Sequence, residues 1–319
     1  MKFGLQLMTR GAGASADGVV AIAEKAEALG FSYIAPNDHI VVPSDIASRY
    51  PYSEDGMWPG AKVGECHEQL SVLAFLAART SAIRLLTSVM VVPHRDPVLT
   101  AKILSTIDVL SRGRLTVGCG AGWMQEEFEA IGTPPFDERG RMTDEYVAIF
   151  KELWTQDDPS FDGAYAKFSN LHFSPRPVQT PNPPIWIGGE SKAALRRAAR
   201  IGDGWYPASN NPKFPLSTPT LFAERTVTLN QVCEEIGRDP GELDLGLFYI
   251  DVVSSDEIPD AGGQRRAMTG KPSDIAEDIA AFSAAGVNTM VMILQQQELP
   301  GTLDRLDWFG SEIMPLVGS

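Results

Sequence analysis

Segments with the period of β-strands and segments with the period of amphipathic helices alternate along all 319 residues. Such alternation is typical of parallel sheets built from βαβ units, in which each helix returns the chain to the start of the next strand. The predicted strands span residues 2–8, 31–36, 83–92, 115–118, 185–187, 204–206, 243–253 and 289–294. Eight strands joined by helices predict an α/β fold, a closed (β/α)8 TIM barrel, with functional residues after the carboxyl ends of the strands.

Two stretches depart from the alternation. Residues 40–64 carry prolines, glycines and aromatic residues without periodicity, and long loops of this kind in compact domains are usually functional. Tyr50, Tyr52 and Trp58 in this loop are candidates for a pocket wall. Residues from about 155 to 184 are predicted to be an insertion in the barrel, and we expect 1–319 to form a single domain.

Composition narrows the function classes. Hydrophobic residues make up 44% of the chain and the formal net charge is -14, so we expect a folded, soluble protein that repels nucleic acid and anionic membranes. An anionic ligand must therefore be bound by local groups, such as a helix N-terminus. The widely spaced Cys66, Cys119 and Cys233 argue against disulfides, and no apolar run is long enough for a signal peptide or a membrane span. We expect a cytoplasmic location.

Catalytic motifs of other enzyme classes are absent from the sequence. It contains no G-x-S-x-G elbow, Walker loop, H-E-x-x-H motif or cluster of metal-ligating residues, so neither a hydrolase nor a metal site is predicted. The acidic runs Glu126-Glu127 and Asp256-Glu257 are predicted to be solvated surface.

The turn Gly188-Gly189-Glu190-Ser191 follows a predicted strand and opens an alanine-rich helix. Glycines permit close backbone approach, and the free N–H groups and dipole of a helix start attract an anion such as a phosphate. The same residues also fit a plain strand-to-helix turn with Ser191 as the N-cap. The residues by themselves leave both interpretations open.

A second glycine stretch, Gly118-Cys119-Gly120-Ala121-Gly122, also follows a predicted strand. A dinucleotide fingerprint would require a small residue in place of Trp123 and a strand ending in an acid about 20 residues further on, and the chain has neither. The stretch fits a glycine floor under a flat ring or a flexible turn.

Among the four histidines, His39 is the best candidate for acid-base chemistry, because Asp38-His39 ends the second predicted strand. His94, just after the third strand, is a weaker candidate, and we interpret His67 and His172 as structural residues.

Leu110-Ser111-Arg112-Gly113-Arg114-Leu115, leading to the glycine stretch and Trp123, resembles the luciferase-like flavin monooxygenase superfamily, and the resemblance spans nearly the whole chain. Residues 184–189 with Gly202-Asp203-Gly204-Trp205 look like the superfamily's phosphate turn and following strand. Within the superfamily, Asp38-His39 and residues 87–97 resemble the branch that uses the deazaflavin coenzyme F420.

The resemblance implies roles for individual residues. Asp38 is expected to contact the cofactor ring or its side chain, and His39 to face the reacting carbon. A cis peptide bond between Ser88 and Val89, flanked by Met90, is expected to bulge the third strand against the ring. The full set of expected cofactor-binding residues is Asp38, Ser88, Val89, Met90, Gly120, Gly122, Gly188, Gly189, Glu190 and Ser191.

One departure from the branch affects the substrate. Its sugar-phosphate dehydrogenases have a glutamate acid at the position of Trp123, so their substrate does not carry over. Trp123 indicates a more apolar substrate pocket, for which Trp58, His94 and Trp123 are the candidate residues.

Together these features predict an oxidoreductase that uses coenzyme F420 for hydride transfer to or from a small organic substrate. The alternative is an FMN-dependent monooxygenase, which would take reduced FMN from a separate reductase. A further alternative is a flavin-binding protein without catalysis. The resemblance also implies a homodimer.

Overall fold

The computed structural model describes residues 1–61, 64, 66–260 and 262–318; Lys62 and Val63 of the loop 40–64 therefore lie outside the described residues. The strands are β1 Lys2–Leu7, β2 Tyr33–Pro36, β3 Arg84–Leu86, β4 Met90–Val91, β5 Leu115–Gly120, β6 Phe161–Asp162, β7 Lys167–Phe168, β8 Ile185–Gly188, β9 Gly204–Tyr206, β10 Asp244–Tyr249 and β11 Thr289–Met292. The α-helices are α1 Ala16–Ala28, α2 Gln69–Arg79, α3 Pro97–Leu110, α4 Gln125–Ile131, α5 Arg139–Thr155, α6 Lys192–Ile201, α7 Pro219–Glu235, α8 Pro272–Ala284 and α9 Leu299–Trp308.

The main sheet closes on itself. Its strand order is β3-β2-β1-β11-β10-β9-β8-β5-β4, and β3 also pairs with β5, with parallel register throughout. Because β4 continues the path of β3 along β5, the closed barrel has eight strand positions. The predicted (β/α)8 barrel is confirmed.

The third barrel strand is interrupted between β3 and β4. The peptide bond between Ser88 and Val89 in this gap is cis, as the resemblance implied. The sequence predicted one continuous strand over residues 83–92, because most side chains there are apolar or β-branched and nothing in the periodicity marks the break.

Helix boundaries follow capping residues. Asp96 directly precedes Pro97, and its side chain accepts a hydrogen bond from the N–H of Leu99, so α3 begins at Pro97. Gly30, which follows α1, has φ +85°, the left-handed conformation that is typical of a glycine after a helix end.

Two segments differ from the sequence prediction. Helix α4 was not predicted, because seven residues are too few to show helical periodicity. The segment predicted as an insertion, between α5 and β8, contains the antiparallel hairpin β6–β7.

Aromatic side chains fill the barrel interior. Trp186 on β8 packs between Tyr33 on β2 and Tyr206 on β9, with ring centroids 5.3 and 5.7 Å away. A Cβ atom at position 246 would lie 2.9 Å from the Tyr206 ring, so glycine in β10 makes room for it. The filled interior leaves space for a ligand at the end of the barrel rather than along its axis.

None of the described helices is both long enough and apolar enough to cross a bilayer.

Candidate active site

A cavity of about 660 Å³ lies at the carboxyl ends of the barrel strands. All eight strand positions contribute to its lining, through Met8, Asn37, Val91, Gly120, Gly188, Tyr206, Phe248 and Ile293. A cavity of this size and position is where a TIM barrel binds its cofactor and substrate.

The floor of the cavity is built around Val89. A Cβ atom at Gly120 would lie 2.6 Å from Cγ2 of Val89, and one at Gly188 would lie 3.1 Å from its Cγ1. Glycine at the ends of β5 and β8 therefore lets the Val89 side chain lie between them. The three residues form a smooth apolar surface, on which a flat ring can rest.

His39 projects from the end of β2 and binds a carboxylate from another part of the barrel. Its Nδ1 lies 2.8 Å from Oε2 of Glu127 on α4. The other carboxylate oxygen, Oε1, accepts hydrogen bonds from the N–H groups of Ile40 at 2.6 Å and Val41 at 3.3 Å. The side chain of Glu127 is 1% exposed and that of His39 is 11% exposed.

The prediction that Glu126-Glu127 is solvated surface is wrong. Helix α4 turns back toward the loop after β2, so that Glu126, half-buried, accepts hydrogen bonds from the N–H groups of Ala47 and Ser48. The spacing of Met124, Phe128 and Ile131, followed by Gly132, could have indicated a short amphipathic helix with Glu127 beside its apolar face. The other acidic run, at residues 256–257, is exposed as predicted.

Asp38 also lines the cavity, but its carboxylate binds Arg95. Arg95 donates from Nη1 and Nη2 to the two carboxylate oxygens at 2.8 and 2.7 Å, and the N–H of Val91 donates at 2.8 Å. Burial alone would raise the pKa of Asp38, but the hydrogen bonds and charge of Arg95 outweigh it and hold this pKa below its ordinary value. Three hydrogen bonds from Arg95 and Val91 hold this carboxylate in place, and the contact of Asp38 with a cofactor ring or side chain that the resemblance implied stays a prediction.

His94 lies behind His39 and Glu127. Its side chain is 1% exposed, its Nδ1 is 3.9 Å from Oε1 of Glu127, and its ring meets that of Phe128 edge to face. Neither ring nitrogen has a hydrogen-bond partner among the described residues. Burial lowers the pKa of His94, which favours a neutral ring.

Aromatic side chains form one wall of the cavity. Trp58 packs on His39 with ring centroids 4.4 Å apart, and Trp123 lies 6.1 Å from Trp58 and 5.1 Å from Tyr50. Asn210 bonds the loop that carries Tyr50 and Trp58, since its Nδ2 donates to the carbonyl of Tyr52 at 2.9 Å. Tyr50, Tyr52 and Trp58 thus lie where a pocket wall was predicted.

A buried polar group lies at the barrel end of the cavity. The hydroxyl of Ser88 bonds Oε1 of Gln6 at 2.8 Å and the hydroxyl of Tyr206 at 2.9 Å. Burial raises the pKa of Tyr206 far above its ordinary value, so its phenol stays protonated.

The glycine turn before α6 is held from outside the cavity. The carbonyl of Gly189 accepts a hydrogen bond from Nε1 of Trp205 at 2.9 Å, and the carbonyl of Glu190 accepts one from Arg225. In a trans peptide the N–H points opposite to the carbonyl, so the N–H of Ser191 points away from Arg225. Gly188, Gly189 and Ser191 line the cavity.

The helix start contributes further donors. The hydroxyl of Ser191 accepts from the N–H of Ala194, as the N-cap interpretation predicted, while the amides of Lys192 and Ala193 have no partner within the helix. The N-cap and the anion site are therefore compatible in one turn.

Two arginines also line the cavity, one on α5 and one on α6. Arg139, at the start of α5, donates to the carbonyls of Gly122 and Phe136 and lies over the ring of Phe136. Burial lowers the pKa of Arg139, and this guanidinium forms no ion pair within the described part of the chain. Arg197 on α6 also lines the cavity and pairs with Asp144. Arg139 was missed in the sequence, because nothing in it brings α5 next to α6.

Most of the predicted site residues meet at this cavity. Its lining includes His39, Asp38, Ser88, Val89, Gly120, Gly122, Gly188, Gly189, Ser191, Trp58, His94 and Trp123. Met90 and Glu190 are not part of the lining. Met90 is buried in the core, and the buried carboxylate of Glu190 accepts hydrogen bonds from the N–H of Ala208 and the side-chain amide of Asn211, both at 2.8 Å. No group of three or more potential metal-ligating side chains occurs among the described residues.

Comparison with known proteins identifies the family. The family model described as luciferase-like monooxygenase matches residues 1–258. An FMNH2-dependent dimethylsulfone monooxygenase of Pseudomonas putida is 28% identical over 310 residues, which cover 84% of this chain and 83% of that protein.

Solved structures share the fold. Monooxygenase RslO1 from Streptomyces bottropensis has a TM-score of 0.76 at 22% identity, with 99% of each chain covered. The coenzyme F420-dependent tetrahydromethanopterin reductase of Methanopyrus kandleri has a TM-score of 0.74 at 18% identity, with 98% of each chain covered. The resemblance inferred from the motifs is thus confirmed, and this chain is an oxidoreductase that belongs to the luciferase-like monooxygenase family.

Proposed function

We propose that this protein binds a flavin-type cofactor, with coenzyme F420 as the first choice, and transfers hydride between it and a small organic substrate. The observation that carries the proposal is the pairing of the Gly188–Ser191 turn with Arg139 at one cavity of a protein whose net charge is -14. An unpaired guanidinium and the amides at a helix start suit a phosphate.

The floor and the wall of the cavity suit the rest of such a cofactor. The apolar surface of Val89, Gly120 and Gly188 can support a flat ring. His39 lines the same cavity, and Trp58 packs on its ring. The reduced cofactor supplies the hydride. In this proposal His39 takes up or returns the accompanying proton, and the aromatic wall excludes water from the reacting atoms.

The choice between cofactors rests on charge. The side chain of coenzyme F420 continues beyond its phosphate into carboxylates, whereas that of FMN ends at the phosphate. Arg10 and Arg49 line the cavity in addition to Arg139 and Arg197. More cationic groups than one phosphate requires favour F420.

A specific observation favours FMN as the second candidate. The Pseudomonas putida relative, 28% identical over 310 residues, is FMNH2-dependent. If this chain shares that cofactor, it would be a monooxygenase supplied with reduced FMN by a separate reductase.

The homodimer that the resemblance implies stays a prediction, to be measured by light scattering.

Calorimetric titration tests the proposal. Coenzyme F420, FMN and riboflavin are titrated separately, each oxidised and reduced, and we expect F420 to bind tightest and riboflavin, which lacks the phosphate, weakest. Tighter binding of FMN would replace F420 by the second candidate, and the absence of binding by all three would overturn the function.

Turnover is then assayed with short alcohols, aldehydes, ketones and sulfones. Binding without any turnover would favour a non-catalytic flavin-binding protein.

A further inference from the structure

We infer that Glu127 is a positioning residue that determines which nitrogen of His39 carries the proton. The inference rests on the proposed function for its catalytic consequence, but not for its structural content. Among the described residues, Glu127 is the acidic residue bonded to His39, and its carboxylate is 1% exposed.

The two oxygens of Glu127 have separate partners. Oε1 accepts from the N–H groups of Ile40 and Val41, which can only donate, and this fixes the orientation of the carboxylate. Oε2 then faces Nδ1 of His39 at 2.8 Å. Because an ionised carboxylate can only accept, Nδ1 must carry the proton. In the neutral ring this leaves the lone pair on Nε2.

Nε2 is therefore the nitrogen available for chemistry. It has no hydrogen-bond partner among the described residues, and His39 lines the cavity. With an alcohol as the substrate, Nε2 would take the hydroxyl proton during oxidation and return it during reduction, while the bound cofactor would accept or supply the hydride. In either direction the carboxylate of Glu127 stays bonded to Nδ1 and would stabilise the imidazolium that forms.

The neighbouring charged groups do not compete for this role. Arg95 is bonded to Asp38 and Glu68, and Asp38 accepts from Arg95 and from the N–H of Val91. His94 lies 3.9 Å from Oε1 of Glu127, beyond hydrogen-bond distance.

Substitution Glu127→Gln inverts the arrangement without changing the shape of the side chain. The amide oxygen must face the N–H groups of Ile40 and Val41, since an NH2 group there would oppose two donors. The NH2 group then faces Nδ1 of His39, which must become an acceptor, so the proton moves to Nε2. Nε2 can then no longer take a proton from the substrate.

The test is nitrogen NMR of protein labelled with 15N-histidine, without cofactor, at about pH 8.5, where free imidazoles are neutral. Comparison with the spectrum of His39→Ala assigns the His39 signals. We expect protonated Nδ1 in the wild type and protonated Nε2 in Glu127→Gln. The matched control is Glu126→Gln, which removes the same charge one residue away. The carboxylate of Glu126 bonds the N–H groups of Ala47 and Ser48 rather than His39, so this substitution should leave the His39 tautomer unchanged.

The second measurement is turnover. Its substrate is a compound from the panel of alcohols, aldehydes, ketones and sulfones that the wild type converts. We expect Glu127→Gln to lower kcat by about 100-fold or more, as loss of a correctly protonated base implies, with cofactor Kd changed only a few-fold. An Nε2–H tautomer in the wild type, an unchanged tautomer in Glu127→Gln or an unchanged kcat would overturn the inference. If Glu127→Gln fails to fold, the wild-type spectrum decides. A wild type that converts no substrate contradicts the proposed function and leaves the NMR result to stand by itself.

Discussion

Nδ1 of His39 lies 2.8 Å from Oε2 of Glu127, although 88 positions separate the two residues in the chain. The first ends a barrel strand, and the second lies in the first turn of a seven-residue helix that follows another strand. The hydrogen bond joins them because the carboxyl ends of parallel barrel strands converge at one face.

Replacing His39 by Ala should separate proton transfer from cofactor binding. We expect turnover to fall by about 100-fold or more, because a positioned acid-base group contributes that much, while cofactor affinity stays within a few-fold. Steady-state kinetics and calorimetry measure the two effects. The control is His67→Ala, since Nε2 of His67 bonds the carbonyl of Ala14 and His67 does not line the cavity. Unchanged turnover in His39→Ala would assign His39 to structure.

Replacing Arg139 by Ala should weaken binding of the phosphate specifically. A charge-assisted hydrogen bond contributes about 1.5–3 kcal/mol, so the Kd for FMN should rise roughly 10- to 100-fold while that for riboflavin changes little. Isothermal titration of both compounds measures the ratio. Arg141→Ala is the matched control, because that side chain is 75% exposed and pairs with Glu138. Equal losses for FMN and riboflavin would contradict a phosphate contact.

Removing the charge of Arg95 should destabilise the fold. Arg95→Gln leaves the fully buried carboxylate of Asp38 without its cation, and breaking a buried pair in this way costs about 3–5 kcal/mol of the free energy of unfolding. Arg79→Gln is the control, because Arg79 and Glu24 are exposed and such pairs contribute about 0–1 kcal/mol. Urea unfolding measures both.

The same pair predicts a pH dependence. Since the folded pKa of Asp38 is lowered, its stabilisation is complete above the ordinary value of 3.8 and is lost as the pH falls through the lowered value. The wild type should therefore lose stability over this acidic range more steeply than Arg95→Gln. Parallel pH profiles for the two proteins would contradict the pairing.

His94 should make the protein sensitive to mild acid. Burial lowers its folded pKa below the ordinary 6.5, so the unfolded chain takes up a proton that the folded chain refuses, and stability falls as the pH drops below about 6.5. His94→Phe removes this effect, and the difference in melting temperature between pH 7.5 and pH 5.5 should become smaller than in the wild type. The exposed His172 supplies the control His172→Gln, which should follow the wild type. An unchanged difference in His94→Phe would show that His94 is not held neutral.

The sequence by itself determined the barrel, because eight apolar segments alternating with amphipathic helices leave few other ways to bury both faces of a parallel sheet. It also located Asp38, His39 and the Gly188–Ser191 turn, since each directly follows a strand and parallel strands place such residues at one face. Local sequence patterns were sufficient to place these residues at the cavity, because their placement depends only on their position relative to a strand.

Only the tertiary structure decided the partners of these residues. Glu127 looked like surface in the sequence because an acidic pair is ordinarily solvated, and only the path of α4 brings it to His39. Likewise, Asp38 binds Arg95, Glu190 binds Ala208 and Asn211, and Arg139 from α5 lines the cavity. Hydrogen bonds and ion pairs between distant segments depend on distances of a few ångströms that the packing of helices around the barrel establishes, and periodicity along the chain carries no information about them.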